Sequence, residues 1–132
     1  MTDHPNAAVV REGFEAFLRG DMDKIRSLMA DDIEWTVLGN NPTAGVYKGK
    51  AAVIGYFGHL VMETEGTMEL EIEDVIGNDD KVVVLTRLRA ERNGKTLTSR
   101  TAQIFGMNAI GKARSCIGPF SEETAQIDDF WS

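Results

Sequence analysis

Metal ligands are scarce in this chain, whose 132 residues include one cysteine, Cys116, and two isolated histidines, His4 and His59. No paired ligand spacing can be built from them, so no metal site is expected. A lone cysteine also excludes an internal disulfide framework and carries no mark of a secretory redox environment. Positive charge is short as well. Fourteen Lys and Arg stand against twenty-one Asp and Glu, a formal net charge of −7, which argues against binding a phosphate backbone through displaced counterions. No apolar run approaches membrane-spanning length, and the opening residues MTDHPNAAVVREGF lack the uninterrupted apolar core of a signal peptide. The expected location is therefore cytoplasmic. The glycines between Gly39 and Gly49 match no nucleotide-binding pattern, and there is no internal repeat.

The remaining composition is that of an ordinary globular protein, 42% hydrophobic and 27% charged, long enough to bury a core as one domain over residues 1–132. Its organising stretch runs from Met68 to Phe105. Met68, Leu70 and Ile72 alternate with Glu69, Glu71 and Glu73, the period-two pattern of a half-buried strand. A turn over Asn78, Asp79 and Asp80 sets Glu71 opposite Arg87, Leu70 opposite Leu88 and Glu69 opposite Arg89, matching charge and burial in one register. Asn93-Gly94 suits a tight type I′ hairpin, which pairs Leu88 with Ser99, Thr86 with Thr101 and Val84 with Gln103. One face of this three-stranded unit is thereby apolar with a few inward polar groups. The other carries Glu69, Glu71, Arg87, Arg89 and Arg100, then an apolar patch of Val75, Val83, Leu85, Ala102 and Ile104.

Before this unit, Pro5 opens a helix carrying Val10, Phe14, Phe17 and Leu18 and ending at Gly20. Asp21 caps a second, with Met22, Ile25, Leu28 and Met29 as its stripe. Ile33, Trp35 and Val37 share one side of a short strand, and Gly39-Asn40-Asn41-Pro42 makes a loop expected at the mouth of any enclosed space. Lys50 to Thr64 reads as a third helix with Val53, Tyr56, Phe57, Leu60 and Val61 on one face and His59 on the other. A last strand from Lys112 to Gly118, ended by Pro119, is expected to place Cys116 across from Gln103. Ser121 is expected to cap a terminal turn whose Ile127, Phe130 and Trp131 dock on the protein or a neighbour. The fold class is α+β: a cone in which a strongly curved antiparallel sheet wraps around three N-terminal helices.

The order of elements, with Gly20-Asp21, Met29-Ala30-Asp31-Asp32-Ile33-Glu34-Trp35, Gly45-Val46-Tyr47-Lys48-Gly49-Lys50 and Asp129-Phe130-Trp131-Ser132, resembles the nuclear-transport-factor-two-like superfamily. Within it the chain is similar to the SnoaL-like polyketide cyclase and ketosteroid-isomerase-related group. The resemblance implies a cone used by isomerases, cyclases, dehydratases, epoxide hydrolases and binding proteins alike. It also implies a two-fold homodimer through the sheet face with Val83, Leu85, Ala102 and Ile104. The isomerase branch uses an Asp base with a Tyr and a protonated Asp as oxyanion hole. By that resemblance the tyrosine falls here at Gly13 or Phe14, the base at Thr36 or Val37 and the protonated aspartate at Gln103, and a supporting tyrosine becomes Phe57. The histidine that many SnoaL-like relatives carry after the tryptophan is Thr36. No catalytic residue is carried over.

The pairing count points Gln103 inward, where an unpaired amide would cost ~1–3 kcal/mol. It can meet a ligand carbonyl, or bond to Thr101, Cys116 or water. Thr86, Ser99 and Thr101 share its face, as pocket floor or as strand formers bonded to one another. Asp74 sits where a bulge would aim its carboxylate inward as an acid or base; an exposed strand end is the plainer reading. Cys116 is a nucleophile or a buried inert thiol. Trp35, Phe57, Phe14 and Phe17 are core, and in a cone core and pocket lining are one population. Arg87, Arg89 and Arg100 read as an ion-pair ladder with Glu69 and Glu71. The expected ligand contacts are Gln103, Thr101, Thr86, Trp35, Phe57, Phe14 and Cys116, for a small, apolar, oxygen-bearing ring or polyketide-like ligand with no cofactor. Any chemistry would be isomerisation, cyclisation or dehydration, or hydrolysis through Asp74. The alternative is a non-catalytic module whose cone is filled by its own side chains.

Overall fold

Proline and asparagine at the chain's start explain how the first helix is held. In the structure, a computed structural model describing residues 3–132, α1 (Pro5–Leu18) begins with Pro5 in its first turn, and the His4 ring accepts from the Asn6 amide at 3.1 Å. The Asn6 side chain donates to the carbonyls of Asn78 and Asp79 at 3.0 and 3.1 Å, tying the helix start to a distant turn. Gly20 at φ +75° ends the helical pair's first member, and the Asp21 carboxylate accepts from the Lys24 amide at 3.1 Å to start α2 (Met22–Leu28). After these come β1 (Met29–Val37), β2 (Gly45–Lys48) and α3 (Lys50–Glu63), then β3 (Glu69–Gly77), β4 (Lys81–Arg92), β5 (Lys95–Met107), β6 (Ala113–Phe120) and α4 (Thr124–Trp131).

The six strands form one sheet in the order β2-β1-β6-β5-β4-β3. Only the β1–β6 pair is parallel, so the α+β class holds, with helices packed inside a mostly antiparallel, curved sheet. Both expected hairpins are present in register, with Glu69, Leu70 and Glu71 opposite Arg89, Leu88 and Arg87, and Val84, Thr86 and Leu88 opposite Gln103, Thr101 and Ser99. His59 is exposed, as its helical position requires.

Several expectations are corrected. Met29 belongs to β1, not to the second helix's stripe, and β1 is longer than the Ile33–Val37 segment. Strand β2 was not legible because it is a mostly exposed edge strand without alternation. A bulge between Ile72 and Asp74 shifts the end of β3 by one residue, and a one-residue slip exchanges faces. Val75 therefore turns inward opposite Val84 and is buried, while Ile76 takes its place on the outer face. The expected Glu69–Arg89 and Glu71–Arg87 neighbours do not make the shortest ion pairs. Instead the bulge residue Glu73 reaches Arg100 at 3.3 Å and Arg87 at 4.0 Å, and Arg89 reaches Glu91 at 3.8 Å.

Cys116 pairs with Phe105, not Gln103. The β5–β6 connection is one residue longer than expected, and a shift between Gly106 and Met107 adds another. Two residues restore the same face, so Cys116 still points inward. β6 also continues through Pro119, which stands at a second irregularity where the β5 ladder is interrupted. Ser121 caps the acidic turn before α4, its hydroxyl accepting from the Glu123 amide at 3.0 Å, and Glu123 stands at the start of the helix. Ile127, Phe130 and Trp131 dock on the protein itself, against Ala90 and Leu97 with Leu60, Met68 and Leu88. Arg92 donates to the Phe130 and Ser132 carbonyls at 3.0 Å each, fixing the helix's carbonyl end with a cation.

Candidate functional site

Inward residues of β1, β5 and α3 are aromatic, and they meet edge to face. Trp35 lies 4.9 Å from Phe57 and 5.5 Å from Phe105 between ring centroids, near-perpendicular to both. Phe17 reaches Phe57 at 5.7 Å and Phe14 reaches Phe105 at 6.1 Å, so one continuous lattice joins α1, α3 and the sheet. Such contacts add ~0.5–1.5 kcal/mol apiece beyond area burial. Large flat rings meeting edge to face leave space between them. A cavity of about 160 Å³ lies between the helices and the concave face of the sheet.

Five of its polar wall groups come from specific local structure. Thr86 and Thr101, opposite each other across β4 and β5, bond hydroxyl to hydroxyl at 2.8 Å. Gln103, two residues along from Thr101, lines the cavity half-buried, and its carboxamide has no hydrogen-bond partner among the described residues. Room for it exists because residue 118 is glycine: a Cβ there would stand 2.7 Å from Gln103 Cγ and 3.1 Å from the Ala102 carbonyl oxygen. Asn41 and Thr43 line the mouth from the β1–β2 loop. Asp128 on α4 accepts from the Asn40 amide and the Asn41 side chain at 2.9 Å each, strapping that loop to the helix whose Ile127 and Trp131 complete the wall.

Among the described residues, the wall carries no Asp, Glu, His, Lys or Arg. Its one titratable side chain is Tyr56, on α3, stacked at 4.6 Å on Tyr47. Burial, then the neighbouring Tyr47 and Cys116, push its phenol well above the ordinary value. Tyr56 therefore stays an uncharged O–H donor at any physiological pH.

Of the expected contacts, Gln103, Thr101, Thr86, Trp35, Phe57 and Phe14 share this wall. Cys116 does not. It stands in β6 between Trp35 of β1 and Phe105 of β5, whose rings meet across it, and it is 2% exposed. Burial holds its thiol well above the usual range, so it offers neither a ligand contact nor a nucleophilic thiolate. Ser99 is buried off the wall with an unpaired hydroxyl. Asp74 pairs with Leu85, is exposed, and accepts from the Val75 amide at 2.9 Å; it takes no part in the cavity. Sequence reasoning missed the polar roles of Tyr56, Asn41 and Thr43 and the wall made by α4. Helical spacing grouped Tyr56 with Phe57 and Leu60, which was the available signal for it.

Fold and cavity define a cone-shaped pocket protein. A family model described as a SnoaL-like domain matches residues 10–115, and the chain belongs to this SnoaL-like group of the nuclear-transport-factor-two-like superfamily. It is 35% identical over 133 residues to the uncharacterized protein Rv0034 of Mycobacterium tuberculosis, with 100% of both chains covered. It superposes on Bal32a, from a soil-derived mobile gene cassette, with a TM-score of 0.91 and 31% identity over 97% of each chain. TerC, co-crystallized with polyporic acid, matches 96% of this chain and 98% of its own with a TM-score of 0.82; at 24% identity that likeness concerns the fold.

Proposed function

We propose that the protein binds an uncharged, largely apolar, oxygen-bearing ring or polyketide-like molecule in the cone, with Gln103 as its principal polar contact. One observation carries this: the cavity wall is aromatic and aliphatic, free of acidic and basic side chains among the described residues, and holds an uncommitted carboxamide. An ionised ligand would lose its hydration there without a countercharge. A one-ring ligand burying ~200 Å² of apolar surface gains ~5 kcal/mol gross before ordering costs. TerC, a protein of the same fold, was co-crystallized with polyporic acid, which supports a small-molecule site in such a cone but not its preference for uncharged ligands.

The competing enzymatic reading is a cofactor-free isomerase, cyclase or dehydratase. It needs a group to take a proton, and the wall offers no carboxylate or imidazole for it, so binding is the better-supported reading. The filled-cone reading is disfavoured by open space reaching Gln103. A thermal-shift screen of neutral ring ketones, quinones and lactones, repeated on Gln103→Leu, tests the proposal. Stabilisation by neutral compounds that weakens in the variant supports it, and an identical set of hits in both proteins removes Gln103 from the site.

The proposal extends to one cytoplasmic domain that pairs with a second copy. Ile76, Leu85, Ile117 and Phe120 are 58%, 38%, 37% and 41% exposed on the outer sheet face, alongside Val83, Ala102 and Ile104. A two-fold contact of this patch with itself would cover it. Sedimentation at micromolar concentration is expected to give a dimer, and Leu85→Asp a monomer; a wild-type monomer contradicts the pairing.

A further inference from the structure

The two tyrosines of this chain differ in how their hydroxyls are held. Tyr47 donates to the Thr43 carbonyl at 2.7 Å. Tyr56, stacked against it, has no hydrogen-bond partner among the described residues, yet its side chain lines the cavity. The Cys116 thiol close by is buried, protonated and not bonded to it, and of the Thr86 and Thr101 hydroxyls one donates to the other, so that one proton of that pair is also free. The Tyr56 O–H is thus uncommitted, on a side chain that lines the same cavity as Gln103.

We propose that the Tyr56 hydroxyl is the donor that receives the ligand's carbonyl oxygen, and that the ligand is therefore a compact, neutral ketone, quinone or lactone of about one ring. This deepens the binding reading above and rests on it. The two polar groups differ in form: a carboxamide carries separate donor and acceptor atoms, whereas a phenol kept protonated by its surroundings always has one O–H to donate. Size follows from the space present. A dry apolar cavity of ~150 Å³ holds a benzene ring, and this one measures about 160 Å³, so its interior has room for a single ring with a carbonyl. A carbonyl buried there without a donor would forfeit its hydration, so the O–H decides whether an oxygenated ring outcompetes a plain one.

Acetophenone and ethylbenzene differ by C=O against CH2 and form the matched probe pair, titrated by NMR into wild type, Tyr56→Phe and Gln103→Leu. The preference for acetophenone over ethylbenzene is expected to fall roughly three- to tenfold in Tyr56→Phe, the loss of one hydrogen bond. Carbonyl-labelled acetophenone supplies a second readout that needs no variant. On binding wild type its carbonyl carbon is expected to resonate at or beyond the downfield position it takes in water. Movement upfield toward the value in hydrocarbon solvent overturns the assignment, as does an unchanged preference in Tyr56→Phe. Ethylbenzene binding without acetophenone sinks the Tyr56 inference and leaves the cavity a ligand site. Binding of neither probe sinks both.

Discussion

The two faces of β4 and β5 are made by the same residues in alternation, and they could hardly differ more. Inward stand Thr86, Thr101 and Gln103 among aromatic rings, all of them neutral, two bonded to each other and one uncommitted. Outward stand Arg87 and Arg100 paired with Glu73, followed by exposed aliphatic surface. Charges outside are many and well solvated, so each is worth little. Polar groups inside are few and poorly hydrated, so each constrains what can share the space. Function is therefore sought where polarity is rarest.

The harshest trial of that contrast is Trp35→Ala. It removes the ring joining Phe57 to Phe105 and should cost ~3–5 kcal/mol in chemical denaturation; a loss below ~1 kcal/mol would mean the lattice is not what holds the cone. Gly118→Ala comes next. Its methyl meets Gln103 Cγ and a backbone oxygen, so ~1–3 kcal/mol of destabilisation is expected, with weakened binding of any ligand that Gln103 contacts.

How readily these elements could be read from the sequence follows the same division. The β3–β4 and β4–β5 registers were legible because strict alternation and Asn93-Gly94 act locally. A bulge near Asp74 was legible but the residue it inserts was not, because Glu73 and Asp74 are both polar and either could stand as the extra one, which cost the reading Val75's true face. Cys116 was put on the right face in the wrong row because two separate one-residue shifts are invisible in composition. The parallel β1–β6 pairing joins distant segments, and no local pattern encodes it. Aromatic positions of the site were readable as core. The uncommitted hydroxyl of Tyr56 was not, since helical spacing ranks faces and says nothing of which oxygens find partners.

Alkaline pH sharpens the comparison further. Cys116 and Tyr56 both keep their protons more tightly folded than unfolded. The unfolded chain releases the thiol proton from ~8.5 and the phenol proton from ~10, so this stabilisation is intact below those values. It is lost as pH rises through them, by up to ~1.4 kcal/mol per pH unit for each group. Urea unfolding between pH 7 and 10 should show the decline, flatter in Cys116→Ala. Equal slopes in the two proteins would mean that the thiol is not shielded. The smallest effect belongs outside: Arg100→Gln, at a side chain 66% exposed, should change stability by no more than ~0.5 kcal/mol, and a loss above ~2 kcal/mol would place real binding energy on the outer ladder.

Central to all of this is a cavity that accepts oxygen but not charge. Methyl benzoate and benzoate, titrated by NMR at neutral pH, put the point directly: the neutral ester should perturb resonances of the cavity wall and the carboxylate should not. Equal or tighter binding of benzoate at that wall would contradict the account.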